Sequence, residues 1–186
     1  MNTITRALLA GATAAVFTAT AGLTGAQAAT ACPTGWGSQA KGGTAGSSTT
    51  FVQDVRAGRH ACFDRLVIDV QGKIAARAYD ARYVPAVYED ASGFPVRLRG
   101  GAFLQLVVRA PSYDSYFGRV TYSPANGREL VSTAGFRTLR QVAFAGSFEG
   151  QTNLGIGVRA RLPFRVTVLN GPGTGSRVVL DVAHRW

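Results

Sequence analysis

Apolar and polar side chains alternate with a period of two through much of the chain. In GAFLQLVVRA, Ala102, Leu104, Leu106, Val108 and Ala110 share one face, while Phe103, Gln105, Val107 and Arg109 share the other. GIGVRARL sets Ile156, Val158, Ala160 and Leu162 against Gly155, Gly157, Arg159 and Arg161. PFRVTVL sets Phe164, Val166 and Val168 against Arg165, Thr167 and Leu169. Such alternation predicts strands with one packed face and one wet face. LRQVAFAGSF reads as a further apolar strand with less clearly sorted faces. Turn-forming clusters separate these runs: ASGFP at 91–95, RGG at 99–101, APSYDSYFG at 110–118, SPANG at 123–127 and NGPGTGS at 170–176. The last predicts a hairpin or tight loop. No sustained helical stripe occurs, although SYDSYFGR has room for one turn of helix. Many short strands at this spacing predict an all-β fold: a β-sandwich or partly open barrel of mainly antiparallel strands.

Two stretches echo each other, RLVIDV at 65–70 and RVVLDV at 177–182. As strands they turn Leu66, Ile68, Val70, Val178, Leu180 and Val182 inward, leaving Arg65, Val67, Asp69, Arg177, Val179 and Asp181 outward. If the two are antiparallel neighbours in register, Arg65 faces Asp181 and Arg177 faces Asp69, pairs that contribute ~0.2–1 kcal/mol each. The alternative puts the copies on separate sheets, each offering its Arg/Asp face to a ligand.

The N-terminus reads differently from the rest. Residues 1–28 carry Arg6, an Ala/Leu/Val/Phe/Thr stretch and the small-residue site Ala26-Gln27-Ala28, the pattern of a secretory signal peptide rather than a membrane anchor. A Gly/Ser/Thr-rich segment then fills 29–50, and one β domain occupies 51–186, with no later run long enough to cross a bilayer. An exported chain with two cysteines points to a Cys32–Cys62 disulfide. The rival, a lipid-modified Cys32, lacks the large aliphatic residue expected within Ala29-Thr30-Ala31.

The net charge of +10, or +9 without Arg6, brings anionic partners into view. Arginines outnumber lysines 18 to 2 and stand singly, with no dense run, so nucleic acid is not the expected partner. An anionic envelope polymer or membrane surface suits an exported chain better.

CFDRLVIDVQG, GGAFLQLVVRAPSYD, FAGSFEGQTNLGIGVRARLPFRV and SRVVLDVAHRW resemble the exported AMIN-like domain proteins of high-GC Gram-positive bacteria. The resemblance runs most clearly from Cys62 to Trp186. The wider AMIN domain is a β-sheet module that brings cell-wall amidases and pilus secretins to peptidoglycan, and its R-V-V-hydrophobic-D strands are similar to the two echoed stretches. The resemblance implies a binding module, standing here without a catalytic partner domain.

Catalytic constellations are sparse. His60 and His184 are the only histidines, no H-E-x-x-H occurs, and the two converge only if the echoed strands are parallel or the termini fold back. No metal or cofactor is expected. There is no G-x-S-x-G elbow, and Ser147 in AGSFEG reads as a strand end. The best enzymatic alternative is a secreted glycan hydrolase using Glu149, in the loop SFEGQTN, with a second carboxylate. Cys32 and Cys62 are too far apart for a C-x-x-C redox pair. Tyr79, Tyr83, Tyr88, Tyr113, Tyr116, Phe117 and Tyr122, interleaved with Arg77, Arg82 and Arg119, supply either core and rim aromatics or a sugar-binding surface.

The sequence thus predicts a non-catalytic envelope-binding module for peptidoglycan or an anionic wall polymer. Its first candidate surface is Arg65, Asp69, Arg177 and Asp181, and its second is Arg159, Arg161 and Glu149. A third hypothesis is a protein-interaction module, pairing with an envelope protein through an open sheet edge.

Overall fold

The computed structural model describes Cys32 and residues 35–43 and 50–186. The expected leader, and the parts of the Gly/Ser/Thr segment at 29–31, 33–34 and 44–49, lie outside the described residues.

The described chain is all-β: β1 (Lys41–Gly42), β2 (Phe51–Arg59), β3 (Phe63–Gln71), β4 (Tyr79–Val84), β5 (Val87–Tyr88), β6 (Pro95–Val96), β7 (Ala102–Val108), β8 (Tyr113–Asp114), β9 (Arg119–Val120), β10 (Leu139–Phe148), β11 (Gln151–Val158), β12 (Phe164–Asn170) and β13 (Ser176–Ala183). A five-stranded sheet has the order β1-β4-β7-β11-β10, a four-stranded sheet the order β12-β13-β3-β2, and β5–β6 and β8–β9 form two small ribbons. Every pairing is antiparallel, and no sheet closes into a barrel.

The two larger sheets bury a common core, which makes the fold a β-sandwich. Leu66, Ile68, Val178, Leu180 and Phe164 come from one sheet, and Leu104, Leu106, Leu154, Ile156 and Val158 from the other, all fully buried. Each such side chain contributes roughly 1.5–3 kcal/mol by leaving water. The inward positions expected of both echoed strands are all in this core.

Two local expectations change. SYDSYFGR holds no helical turn but the β8–β9 ribbon: Asp114 Oδ1 accepts hydrogen bonds from the Tyr116 and Phe117 amides, which closes the tip. The outer face of β11 is not wet either. Gly155 and Gly157 are buried because Val87 and Leu98 and the Arg99 backbone lie directly over them. Ala143, Ala145, Val87 and Val96 form a second small core there, under the β5–β6 ribbon. The NGPGTGS hairpin joins β12 to β13 as expected, with the Gly171 amide donating to the Gly175 carbonyl.

Cys32 and Cys62 form a disulfide, which overturns lipidation of Cys32. The bond ties the N-terminal segment to the start of β3. Further along that segment the Phe164 amide donates to the Gly37 carbonyl, and Arg161 holds Ser38.

Candidate functional site

The outer face of the β12-β13-β3-β2 sheet is organised in rows. The echoed strands are antiparallel neighbours on one sheet, with Arg65 opposite Asp181 and Arg177 opposite Asp69. The alternative of two separate sheets is thereby overturned. Pleating places Arg165, Asp181, Arg65 and Gly58 in one row, then Thr167, Val179, Val67 and Arg56, then Leu169, Arg177, Asp69 and Asp54.

In the first row a single carboxylate holds two guanidiniums. Arg65 donates from Nε and Nη2 to the two oxygens of Asp181 at 2.6 and 2.9 Å, and Arg165 Nε donates to Asp181 Oδ2 at 2.9 Å. Asp181 is 1% exposed. Hydrogen bonding to Asp181 raises the Arg65 pKa above the ordinary arginine value, against the opposing effect of burial.

The third row pairs differently from the register. Asp69 is taken by Arg56, diagonally across on β2, at 2.6 and 3.0 Å. That hydrogen bond, with the nearby charge of Asp54 in support, raises the Arg56 pKa. Arg177 therefore faces Asp69 without bonding it. Its Nη2 reaches only the Asn170 carbonyl at 3.3 Å, and its Nε is buried without a partner.

Between the rows lies a hollow of about 240 Å³, with Val67, Val179 and Leu169 as its apolar lining and Arg56, Arg65, Arg177 and His60 around it. Val67 and Val179 are 6% and 3% exposed despite their outward positions. Both line a hollow that the long side chains of Arg56, Arg65 and Arg177 also line. The face expected to be wet is thus an arginine-lined apolar strip.

Aromatic rings continue this face beyond Arg65. Phe63 stacks on His60 with centroids 4.5 Å apart and packs against Trp36 at 5.6 Å. Arg165 lies 4.4 Å over Trp36, and Arg65 5.1 Å over Phe63. The disulfide brings the Trp36 segment alongside. Sequence reading missed this cluster because Trp36 lies in a stretch with no strand pattern.

His60 and His184 do come together, each just outside the strands, although β3 and β13 are antiparallel. The end of β13 lies beside the start of β3, so both histidines reach one hollow of about 440 Å³ with Arg59, Asp64 and Arg137. Asp64 is 1% exposed. Its Oδ2 accepts from the Thr138 and Leu139 amides at 2.5 and 3.0 Å, and its Oδ1 lies 3.0 Å from His184 Nε2. His184 Nδ1 lies 3.2 Å from the Ala61 carbonyl. Both nitrogens of His184 are engaged, so neither is presented to a metal or a substrate proton. Among the described residues no three metal-ligating side chains cluster.

The second predicted surface does not assemble. Glu149 is exposed in the two-residue turn between β10 and β11, with φ of 47°, while Arg159 and Arg161 follow the far end of β11. At 3.3 Å per residue the strand separates them by roughly 30 Å. Arg159 donates to the His184 carbonyl, and Arg161 lies over Tyr83. A pair of carboxylates, Asp54 and Glu129, lines a different cleft of about 540 Å³, where Glu129 is bound by Arg99. Ser147 sits at the end of β10, as expected, its hydroxyl donating to the Gln151 carbonyl.

The tyrosines scatter. Tyr79 and Tyr83 pack at the core with hydroxyls on the Val166 and Leu162 carbonyls, Tyr122 packs on Phe144, and Tyr88, Tyr116 and Phe117 are exposed. The open-edge hypothesis meets two edges partly in use: the Leu130 and Asp90 amides donate to the Val142 and Ala145 carbonyls of β10, the Phe144 amide of β10 donates to the Gly127 carbonyl, and Thr121 caps the Val52 carbonyl of β2.

A family model described as the AMIN-like domain matches residues 50–184. The chain has no match among functionally curated proteins.

Proposed function

The chain belongs to the AMIN-like domain family, whose domains are binding and targeting modules, and from that premise we propose that it is an exported module binding peptidoglycan or an associated anionic wall polymer through the outer face of the β12-β13-β3-β2 sheet. One observation carries the reading: Arg177, which bonds only the Asn170 carbonyl, lines an apolar hollow whose other arginines are held in place by Asp181 and Asp69.

Fixed guanidiniums suit carboxylate or phosphate oxygens, and an apolar floor flanked by Trp36, Phe63 and His60 suits the faces of sugar rings. The Cys32–Cys62 disulfide supports an oxidising, extracytoplasmic location. No catalytic role is assigned to Glu149, which stands exposed on a hairpin turn.

Cosedimentation with purified wall sacculi across a salt series tests the proposal. Retention that weakens with salt and leaves the sacculi intact supports it. Release of soluble sugar or peptide favours a hydrolase, and absence of retention at low salt rejects the wall-binding reading.

A further inference from the structure

We propose that the hollow between Arg59 at the end of β2 and Arg137 ahead of β10 is a binding site for a phosphate group. The proposal deepens the wall-binding reading, on which it rests for its biological source but not for its chemistry.

Arg59 and Arg137 line this hollow together, and both are exposed. Among the described residues neither guanidinium has a hydrogen-bond or ion-pair partner, unlike Arg56, Arg65, Arg99, Arg128 and Arg165. The carboxylate lining the same hollow, Asp64, is already engaged by two buried amides and His184. Turning it toward the arginines would leave the buried Thr138 and Leu139 amides unpaired. Asp64 offsets one of the two arginine charges but bonds neither guanidinium, so the hollow keeps a net positive charge and, among the described residues, two free forks.

The loop between β9 and β10 is shaped for this. Gly135 has φ of 75°, and a Cβ there would lie 2.9 Å from Arg59 Nη1. The guanidinium thus rests against the glycine, two residues from Arg137. Two like charges held in one hollow repel each other, and a bound anion reverses the sign of that contribution.

The chemistry favours phosphate. A single arginine fork satisfies a planar carboxylate, whereas forks from two separate elements match oxygens that leave a tetrahedral centre in different directions. His60 is also a wall of the arginine-lined hollow on the sheet face, so a polyanion lying on that face can run into this site.

The test is a titration of the protein with inorganic phosphate at constant ionic strength, followed in 1H–15N spectra. The expected result is saturable shifts at the His60 and His184 rings and at the Thr138 and Leu139 amides. The double variant R59Q/R137Q should weaken binding by about tenfold or more, with R59K/R137K intermediate. R97Q/R119Q, which removes the same charge elsewhere, should bind as the parent does. Retained amide positions for the core residues Leu66 and Leu180 show that the variants are folded.

Non-saturating shifts, equal losses in both glutamine variants, or acetate binding more tightly than phosphate would overturn the proposal. Titration with glycerophosphoglycerol separates the sources. Binding comparable to inorganic phosphate supports a polymer phosphodiester, and binding of inorganic phosphate alone supports the free ion. Sacculus retention with no phosphate binding rejects this site and leaves the wall-binding face standing. Phosphate binding with no sacculus retention does the reverse.

Discussion

Arg65 and Asp181, 116 positions apart in the chain, meet across β3 and β13 through two hydrogen bonds of 2.6 and 2.9 Å. Arg165 closes on the same carboxylate from β12, so Asp181 ties three strands together. Asp181→Asn keeps the shape and removes the charge, leaving two guanidiniums facing each other. Breaking a buried ion pair costs 3–5 kcal/mol, and both arginines here are partly solvated, so a loss of about 2–4 kcal/mol is expected. Urea unfolding should show a lower midpoint with an unchanged slope. A midpoint within error of the parent would show that the triad is dispensable.

Gly157 makes a steeper prediction. A Cβ at this position would sit 1.9 Å from the Arg99 carbonyl oxygen, which is backbone and cannot swing away. Gly157→Ala should therefore force β11 and the 97–101 loop apart, costing roughly 3 kcal/mol or more, at the upper end of what overpacking does. Thermal melts report it directly. Wild-type stability in this variant would mean that the loop is not seated on β11.

These two sites show what the sequence made legible. The echo of RLVIDV and RVVLDV offered this side-by-side register as one of two readings, the other being separate sheets, while the period of two did assign Leu66, Ile68, Leu180 and Val182 to the core. Alternation could not show that the outer faces are covered. Gly155 and Gly157 looked like small residues on a wet face, whereas they are where another loop approaches closely. Nor could it show that Asp69 bonds diagonally to Arg56 in preference to Arg177 opposite, since a long side chain reaches past its register partner. The histidines were misjudged on direction: antiparallel pairing brings the end of β13 to the start of β3, so His184 and His60 meet.

The disulfide closes a loop of 30 positions. Chain-entropy bookkeeping gives about 3.6 kcal/mol for such a loop, with strain left out of account. Cys32→Ser with Cys62→Ser should lower stability by up to that amount, and it should release the Trp36 ring from Arg165 and Phe63. A red shift of tryptophan emission under native conditions, ahead of any global unfolding, is the expected signature. Unchanged emission would mean that the Gly37 and Ser38 contacts hold the segment without the bond.

Alkaline pH should destabilise the fold through its tyrosines. Tyr122 is pushed from 10.0 to about 12, first by burial and then by the charge of Asp54. Tyr79 and Tyr83 are also raised, chiefly by burial. Between pH 10 and 12 the unfolded chain has lost protons that the folded chain keeps, so stability is full below pH 10 and falls as pH rises. Lys41, lowered by burial, works in the opposite direction but is a single group. Melting temperatures measured from pH 9 to 11.5 should decline, and Tyr122→Phe should make the decline shallower. An equal slope in both proteins would place the alkaline loss elsewhere.

Arg177 separates binding from stability. Because Asp69 bonds Arg56, the Arg177 guanidinium holds only the Asn170 carbonyl, and Arg177→Gln should change folding stability by no more than ~0.5 kcal/mol. Its guanidinium lines the apolar hollow with a single carbonyl partner, which gives it a different weight in wall binding. One charge-assisted hydrogen bond contributes about 1.5–3 kcal/mol, so sacculus retention should fall by an order of magnitude or more at low salt. The parent should approach the variant as salt rises and exposed charges are screened beyond ~8 Å. Arg56→Gln should show a different pattern, since it also frees Asp69 to repel an anionic ligand. It should reduce both retention and stability. Equal retention of the parent and Arg177→Gln at every salt concentration would remove the sheet face from consideration as the wall-contacting surface.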